Sequence, residues 1–174
     1  LTNGPSNNID ITFRFTPELA GCSDGPPVDV VVTLETSPAL NAVLNSPAVT
    51  CNGDLVDIDV TNTSIVSGVA TYGVTVTSST GDLDDITGEE PVNGLTGQSY
   101  PGNITSNLTN NTTSDIAVTF TFTPELAGCL DGPTVDVVVT VEATPLLAPT
   151  LNSATVICDG GIVDIDVVAA SVAD

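Results

Sequence analysis

The chain has 174 residues and a formal net charge of −21, with one cation, Arg14, and no His, Lys, Met or Trp. So acidic a surface repels phosphate backbones and anionic lipid, which excludes nucleic acid as a partner and makes divalent cations the natural counter-ions. An apolar content of 41%, mostly Val, Ile, Leu and Ala among abundant Thr, Gly and Pro, excludes a disordered acidic tail and favours β-structure over helix.

In chain order, Ile11 to Thr33 reads ITFRFTPELAGCSDGPPVDVVVT, with Phe13 and Phe15 expected in a core. TSPALNAVLNSP, at 36–47, reads as a short stiff linker, because Pro removes a ladder donor and favours extended backbone. Strands are expected at 47–51 and at 55–61, where Val56, Ile58 and Val60 alternate with Asp57 and Asp59. Further strands are expected at 70–78, 103–109, 115–124 and 134–143, with one more short strand inside 80–100. Val118, Phe120 and Phe122 alternate with Thr119, Thr121 and Thr123, the period of a strand with one buried face. Turn signals separate these runs: Cys-Asn-Gly at 51–53, Thr-Gly at 87–88 and Asp-Gly-Pro at 131–133. TPLLAPTLNS, at 144–153, is a second Pro-containing linker, and no segment has helical periodicity or the length of about 18 apolar residues that spans a bilayer. No signal peptide is present, so any targeting segment is expected outside residues 1–174.

The chain also repeats itself. Cys22 and Cys129 stand 107 positions apart, as do Cys51 and Cys158, and CNGDLVDIDV at 51–60 returns as CDGGIVDIDV at 158–167. Sliding by that offset aligns residues 1–67 with 108–174, with more than half of the pairs identical. The expected organisation is an all-β chain of tandem Ig-like or PKD-like β-sandwich repeats of about 107 residues. Residues 1–39 are the C-terminal part of one repeat, 40–146 a complete repeat, and 147–174 the N-terminal part of the next.

The run TVIC-x-G, the mid-domain TGDLDDITG, Leu-Thr-Asn, and FTFTPELAGC-x-DGP-x-VDVVVTVEATP together resemble the PKD-like, Ig-like repeats of Bacteroidetes cell-surface adhesins. That family includes the SprB-like gliding adhesins exported by type IX secretion. The resemblance covers the whole 107-residue unit and implies a surface-exposed rod that touches substratum, polysaccharide or other cells. The chain departs from the family in its heavier acidic load and in lacking a mid-domain Trp.

Two cysteines per repeat, with no His and no CxxC pair, suggest disulfides in an oxidising compartment and not a zinc site. Cys22, Cys51, Cys129 and Cys158 are the candidates. Cys51 follows the first expected strand and Cys129 the sixth, so a standard topology puts them at opposite ends, whereas a bond needs Cα atoms within about 7 Å. Pairing of Cys51 with Cys129, pairing of Cys22 with Cys51 and of Cys129 with Cys158, and partners outside this segment all stay open.

Asp82, Asp84, Asp85, Glu89 and Glu90 crowd one loop and could supply calcium with oxygen ligands, although GDLDDITGEE lacks EF-hand spacing. Asp54, Asp57 and Asp59 line a turn and a strand, and alternation puts the last two on a solvent face. A solvated acidic surface that keeps the array soluble is the simpler reading of both clusters. Glycoside hydrolysis also uses paired carboxylates, but a chain with two Tyr and no Trp is poorly equipped to stack sugars. The absence of His removes the usual nucleophilic triads, so no enzyme activity is expected. Sequons at Asn62, Asn103, Asn107, Asn110 and Asn111 arise readily in a Thr- and Asn-rich chain.

The sequence thus reads as a rod-forming spacer in a large secreted surface adhesin, acting in adhesion, with gliding motility as the further role that the resemblance implies. Its expected partners are neighbouring repeats, other copies of the chain, and extracellular polysaccharide or surfaces, with no cofactor beyond calcium and no membrane insertion by this segment. The competing readings are a passive extracellular filament or sheath, and a binding module appended to a secreted enzyme.

Overall fold

The computed structural model describes residue 3 and residues 7–90 and 92–169. Alternating β-branched and polar residues make almost all of its regular structure strand, with one 3-10 turn at Leu83–Asp85. The first hairpin is β1 (Ile9–Phe15) and β2 (Val28–Leu34). The central region holds β3 (Leu40–Leu44), β4 (Val49–Thr50), β5 (Leu55–Asn62), β6 (Ala70–Ser78), β7 (Ile86–Thr87) and β8 (Leu95–Ser99). It continues with β9 (Gly102–Asn107), β10 (Thr109–Asn110), β11 (Ile116–Leu126) and β12 (Val135–Val141). The last hairpin is β13 (Leu147–Leu151) with β14 (Ile165–Ala169).

Two sheets make the central region. One has the order β3-β5-β9, the other β4-β12-β11-β6-β8, and a short β10-β7 pair lies beside them. All pairings are antiparallel except that of β4 with β12, which is parallel. The first sheet contributes Val56, Ile58, Val60 and Ile104 to the core. The second contributes Tyr72, Val74, Val76, Val118, Phe120, Phe122, Val137, Val139 and Val141 to the same cluster. Every member of that core lies between Leu40 and Val141, so this stretch encloses a core of its own. β11 shows why the sequence folds this way: buried and half-buried residues alternate along all 11 positions, with Thr119 and Thr121 on the outer side. Ten steps of about 3.4 Å make the strand about 34 Å long, which sets the distance between the two ends of the unit.

The Pro-containing stretch at 36–47 is only partly a linker. Leu40, Ala42 and Leu44 pack on the core from β3, whose register sets Leu40 opposite Asn62 and Leu44 opposite Ile58. Pro38 and Pro47 bound this edge strand, where a missing N–H is tolerated, and do not prevent it. The strand expected at 47–51 shrinks to Val49–Thr50, and the 80–100 region yields both β7 and β8.

The outer hairpins reproduce the central registers at the same offset. Ile9 faces Leu34 and Phe15 faces Val28, as Ile116 faces Val141 and Phe122 faces Val135. Leu147 faces Ala169 and Leu151 faces Ile165, as Leu40 faces Asn62 and Leu44 faces Ile58. Their surroundings differ. Phe120 and Phe122 are fully buried, whereas Phe13 and Phe15 are 41% and 60% exposed. The expectation that Phe13 and Phe15 are core residues is therefore corrected, because the described residues place no second sheet over the β1–β2 hairpin.

Candidate functional site

Each end of the central unit sets a cysteine turn against a linker. At the end where β12 finishes, the parallel pairing of β4 with β12 carries Cys51 alongside Glu142, with its Sγ 3.9 Å from Glu142 Oε2. Asn52 ties the turn down. Its Nδ2 donates to Thr144 Oγ1 at 2.6 Å and to the Asn110 carbonyl at 2.9 Å, and its Oδ1 accepts from Asn110 N at 2.8 Å. Asn110 is buried and donates to the carbonyls of Ser114 (2.8 Å) and Val141 (3.0 Å), so it closes the strand end from inside. Asp115 Oδ1 then accepts from Ala143 N at 2.9 Å. The result is a shallow groove of about 270 Å³ lined by Cys51, Asn52 and residues Glu142 to Pro145.

At the opposite end, the turn after β11 is held by Cys129 N donating to the Leu126 carbonyl at 3.0 Å and Gly132 N to the Pro124 carbonyl at 2.9 Å. A β-carbon on Gly132 would lie 1.8 Å from the Pro38 carbonyl oxygen, so glycine here lets the incoming linker rest on the turn. A second groove, of about 310 Å³, runs between Glu35, Thr36 and Ser37 on one side and Gly128, Cys129 and Leu130 on the other. The polar ties of the other end recur on this incoming linker. Asn3 Nδ2 donates to the carbonyls of Asn7 (2.8 Å) and Leu34 (2.9 Å), and Thr36 N donates to Asn8 Oδ1 at 3.0 Å.

All four cysteines are exposed, free thiols. Cys51 and Cys129 sit at opposite ends of the sandwich, separated by roughly the 34 Å length of β11. Cys22 follows β1 at the end of its hairpin away from the linker, and Cys158 lies between β13 and β14, away from the other linker. The structure brings no two of the four together.

The acidic loop is dispersed. Asp82 caps the 3-10 turn by accepting from Asp84 N at 3.0 Å, and the Asp85 carbonyl accepts from Asn111 N at 2.9 Å. Glu89 is buried with its Oε2 unpartnered, while Asp82, Asp84 and Glu90 are exposed. Among the described residues, no three His, Cys, Asp or Glu side chains converge as a metal site would need, Asp82, Asp84, Asp85, Glu89 and Glu90 included. Asp57 and Asp59 point outward from β5 and share Asn103, whose Nδ2 donates to Asp57 Oδ1 (2.6 Å) and Asp59 Oδ1 (2.9 Å). The bond from Asn103, with a second from Asn45, holds the Asp59 carboxyl below its ordinary range. Arg14 grips Asp29 with two bonds of 2.7 Å, which lowers the Asp29 carboxyl and engages the chain's one cation locally. Of the sequon asparagines, Asn110 is buried with its amide engaged in two bonds, a placement that shuts out a glycan. No described helix is long and apolar enough to cross a membrane.

No family model matches the chain, and no curated protein matches it. Among solved structures, the chain is similar to domains 4 and 5 of the S-layer protein SbsC, at 18% identity and a TM-score of 0.31. That match covers 66% of this chain and spans 58% of the SbsC chain. The assignment of an all-β sandwich rests on the strand pairing described above.

Sequence reasoning missed Asn52, Asn110 and the Glu-x-x-Pro linkers as the residues that build the two ends. A signal for Asn110 and the linkers was present in the repetition, since Leu-Thr-Asn stands at 1–3 and again at 108–110, and Glu-x-x-Pro at 35–38 and again at 142–145; Asn52 has none, with Asp159 at its repeat position.

Proposed function

We propose that this chain is a segment of an extracellular rod of tandem β-sandwich units, a load-bearing spacer in adhesion at a cell surface. The observation that carries the reading is the contrast between matched hairpins. Residues that are buried in the central unit, such as Phe120, Phe122, Val137 and Val139, have counterparts at Phe13, Phe15, Val30 and Val32 that stand exposed in the same register. A hairpin with that pattern is one part of a sandwich whose other strands would cover it. Residues 1–39 and 147–174 are then parts of units like 40–146. The resemblance to PKD-like repeats of Bacteroidetes adhesins supports the adhesive role and the cell-surface location. The acidic surface keeps parallel rods apart, so the spacer reading is favoured over a laterally packed sheath.

Small-angle scattering on chains of one, two and three joined copies of 40–146 tests this. The maximum dimension should rise with each copy by about the 34 Å length of β11 plus a linker. A dimension that stays near that of one unit, with the copies collapsing onto each other, would refute the rod.

A further inference from the structure

We propose that Cys51 of each unit forms a disulfide with the counterpart of Cys129 in the unit that follows, one covalent bond across every junction. The inference rests on the tandem reading above.

Residues 1–174 contain two junctions, and each displays one side of the same arrangement. Glu-Thr-Ser-Pro at 35–38 and Glu-Ala-Thr-Pro at 142–145 are one linker seen twice, 107 positions apart. Around the first copy, the visible neighbour is the following unit. There Glu35, Thr36 and Ser37 share a groove with Cys129, and the Pro38 carbonyl lies on Gly132. Around the second copy, the visible neighbour is the preceding unit, and Glu142, Ala143 and Thr144 share a groove with Cys51. The two linkers are pinned by the same bonds, Thr36 N to Asn8 Oδ1 at 3.0 Å and Ala143 N to Asp115 Oδ1 at 2.9 Å. Asn3 on the Leu34 carbonyl likewise matches Asn110 on that of Val141.

Laying one linker on the other therefore brings both thiols to one short segment. Cys51 approaches from the unit before it and the Cys129 counterpart from the unit after it. The three shared linker residues span at most about 10 Å. Both turns thus border the same short segment, and the proposed bond closes them to the Cα separation of about 4.4–6.8 Å that a disulfide needs. Both thiols are exposed and open to exchange. The pairing also leaves no cysteine type unused, since each unit offers a Cys129 type at its entry and a Cys51 type at its exit.

The bond forms by thiol–disulfide exchange with an external disulfide, either a small-molecule disulfide or that of an oxidoreductase. One thiolate attacks it to give a mixed disulfide, and the second thiolate then displaces the external sulfur. Two S–H bonds are lost and one S–S bond is gained, and the two electrons and two protons reduce the external disulfide to thiols.

The test is a chain of two joined copies of 40–146, each of which holds a complete core, oxidised in a glutathione redox buffer. The monomeric fraction is then alkylated and mapped without reduction. We expect one disulfide and two alkylated thiols per chain. Cys51→Ser in the first copy should abolish the bond, and Cys51→Ser in the second copy should leave it intact. Four alkylated thiols in a chain whose copies both melt cooperatively would overturn the inference and leave the tandem reading standing. A bond that survives Cys51→Ser in the first copy would place it elsewhere and also overturn the inference. Two joined copies that fail to fold, when one copy alone folds, would overturn the tandem reading itself, and the disulfide with it.

Discussion

Replacing Phe120 with Ala removes a fully buried phenyl ring of the core cluster, in register with Val76 on one neighbouring strand and Val137 on the other. A phenyl side chain buries about 150–250 Å². At about 25 cal/mol per Å² that is about 4–6 kcal/mol of transfer free energy, part of which the alanine methyl retains. Phe→Ala changes in packed cores cost about 3–5 kcal/mol. The matched change, Phe13→Ala, acts on a ring that is 41% exposed in a hairpin with no sheet above it, and should move the main transition by under about 0.5 kcal/mol. Urea melts of residues 1–174 followed by far-UV circular dichroism give both values from one cooperative transition. Phe120→Ala should lower the midpoint sharply at an unchanged slope, whereas Phe13→Ala should superimpose on the parent. Equal losses from the two substitutions would mean that the β1–β2 hairpin already shares a core with the rest of the chain, and the contrast drawn between matched hairpins would fail.

Two further outcomes follow from the same structure. Asn110→Ala removes the buried amide's bonds to the Ser114 and Val141 carbonyls and loosens the turn at Asn52, and should cost about 1–3 kcal/mol in the same melt; Asn110→Asp, whose carboxylate cannot donate, should recover little of it. Burial, with repulsion from Tyr72 and Glu125, pushes the Tyr100 phenol up to about 12. An unfolded tyrosine ionises near 10, so this contribution to stability is complete below about pH 10 and lost as pH rises through about 12. Urea midpoints between pH 8 and 12, with phenolate absorbance alongside, should show that decline. Tyr100→Phe, which also removes a hydroxyl lacking a partner, should flatten it.

Strand content and the identity of the core were legible wherever alternation was local, as along β11 and β5, where every second residue from Val118 to Phe122 and from Val56 to Val60 is buried. The same logic failed at Phe13 and Phe15, since alternation marks a face for burial but whether it is covered depends on strands elsewhere. β3 was hidden by Pro38 and Pro47, which read as linker residues and in fact delimit an edge strand around Leu40, Ala42 and Leu44. The polar clasp at the exit end escaped notice because Asn52 and Asn110 are 58 positions apart and nothing in either neighbourhood announces the other. The acidic loop shows the converse error, in which closeness in sequence overstated closeness in space. Asp82 is spent on a cap and Glu89 turns inward, so five neighbouring carboxyls disperse.

The parallel pairing of β4 with β12 has a mechanical consequence. β4 comes early in the unit's chain, after β3, and β12 comes last, yet the two lie side by side at the exit end, joined by Thr140 N to the Ala48 carbonyl at 2.8 Å and Glu142 N to the Thr50 carbonyl at 3.0 Å. Tension applied through the two linkers pulls these strands past each other along their own length. Those two bonds are then loaded in shear, together, and neither can yield first as the teeth of a zipper do. A string of such units would resist pulling at its sheet edges long before any core was exposed.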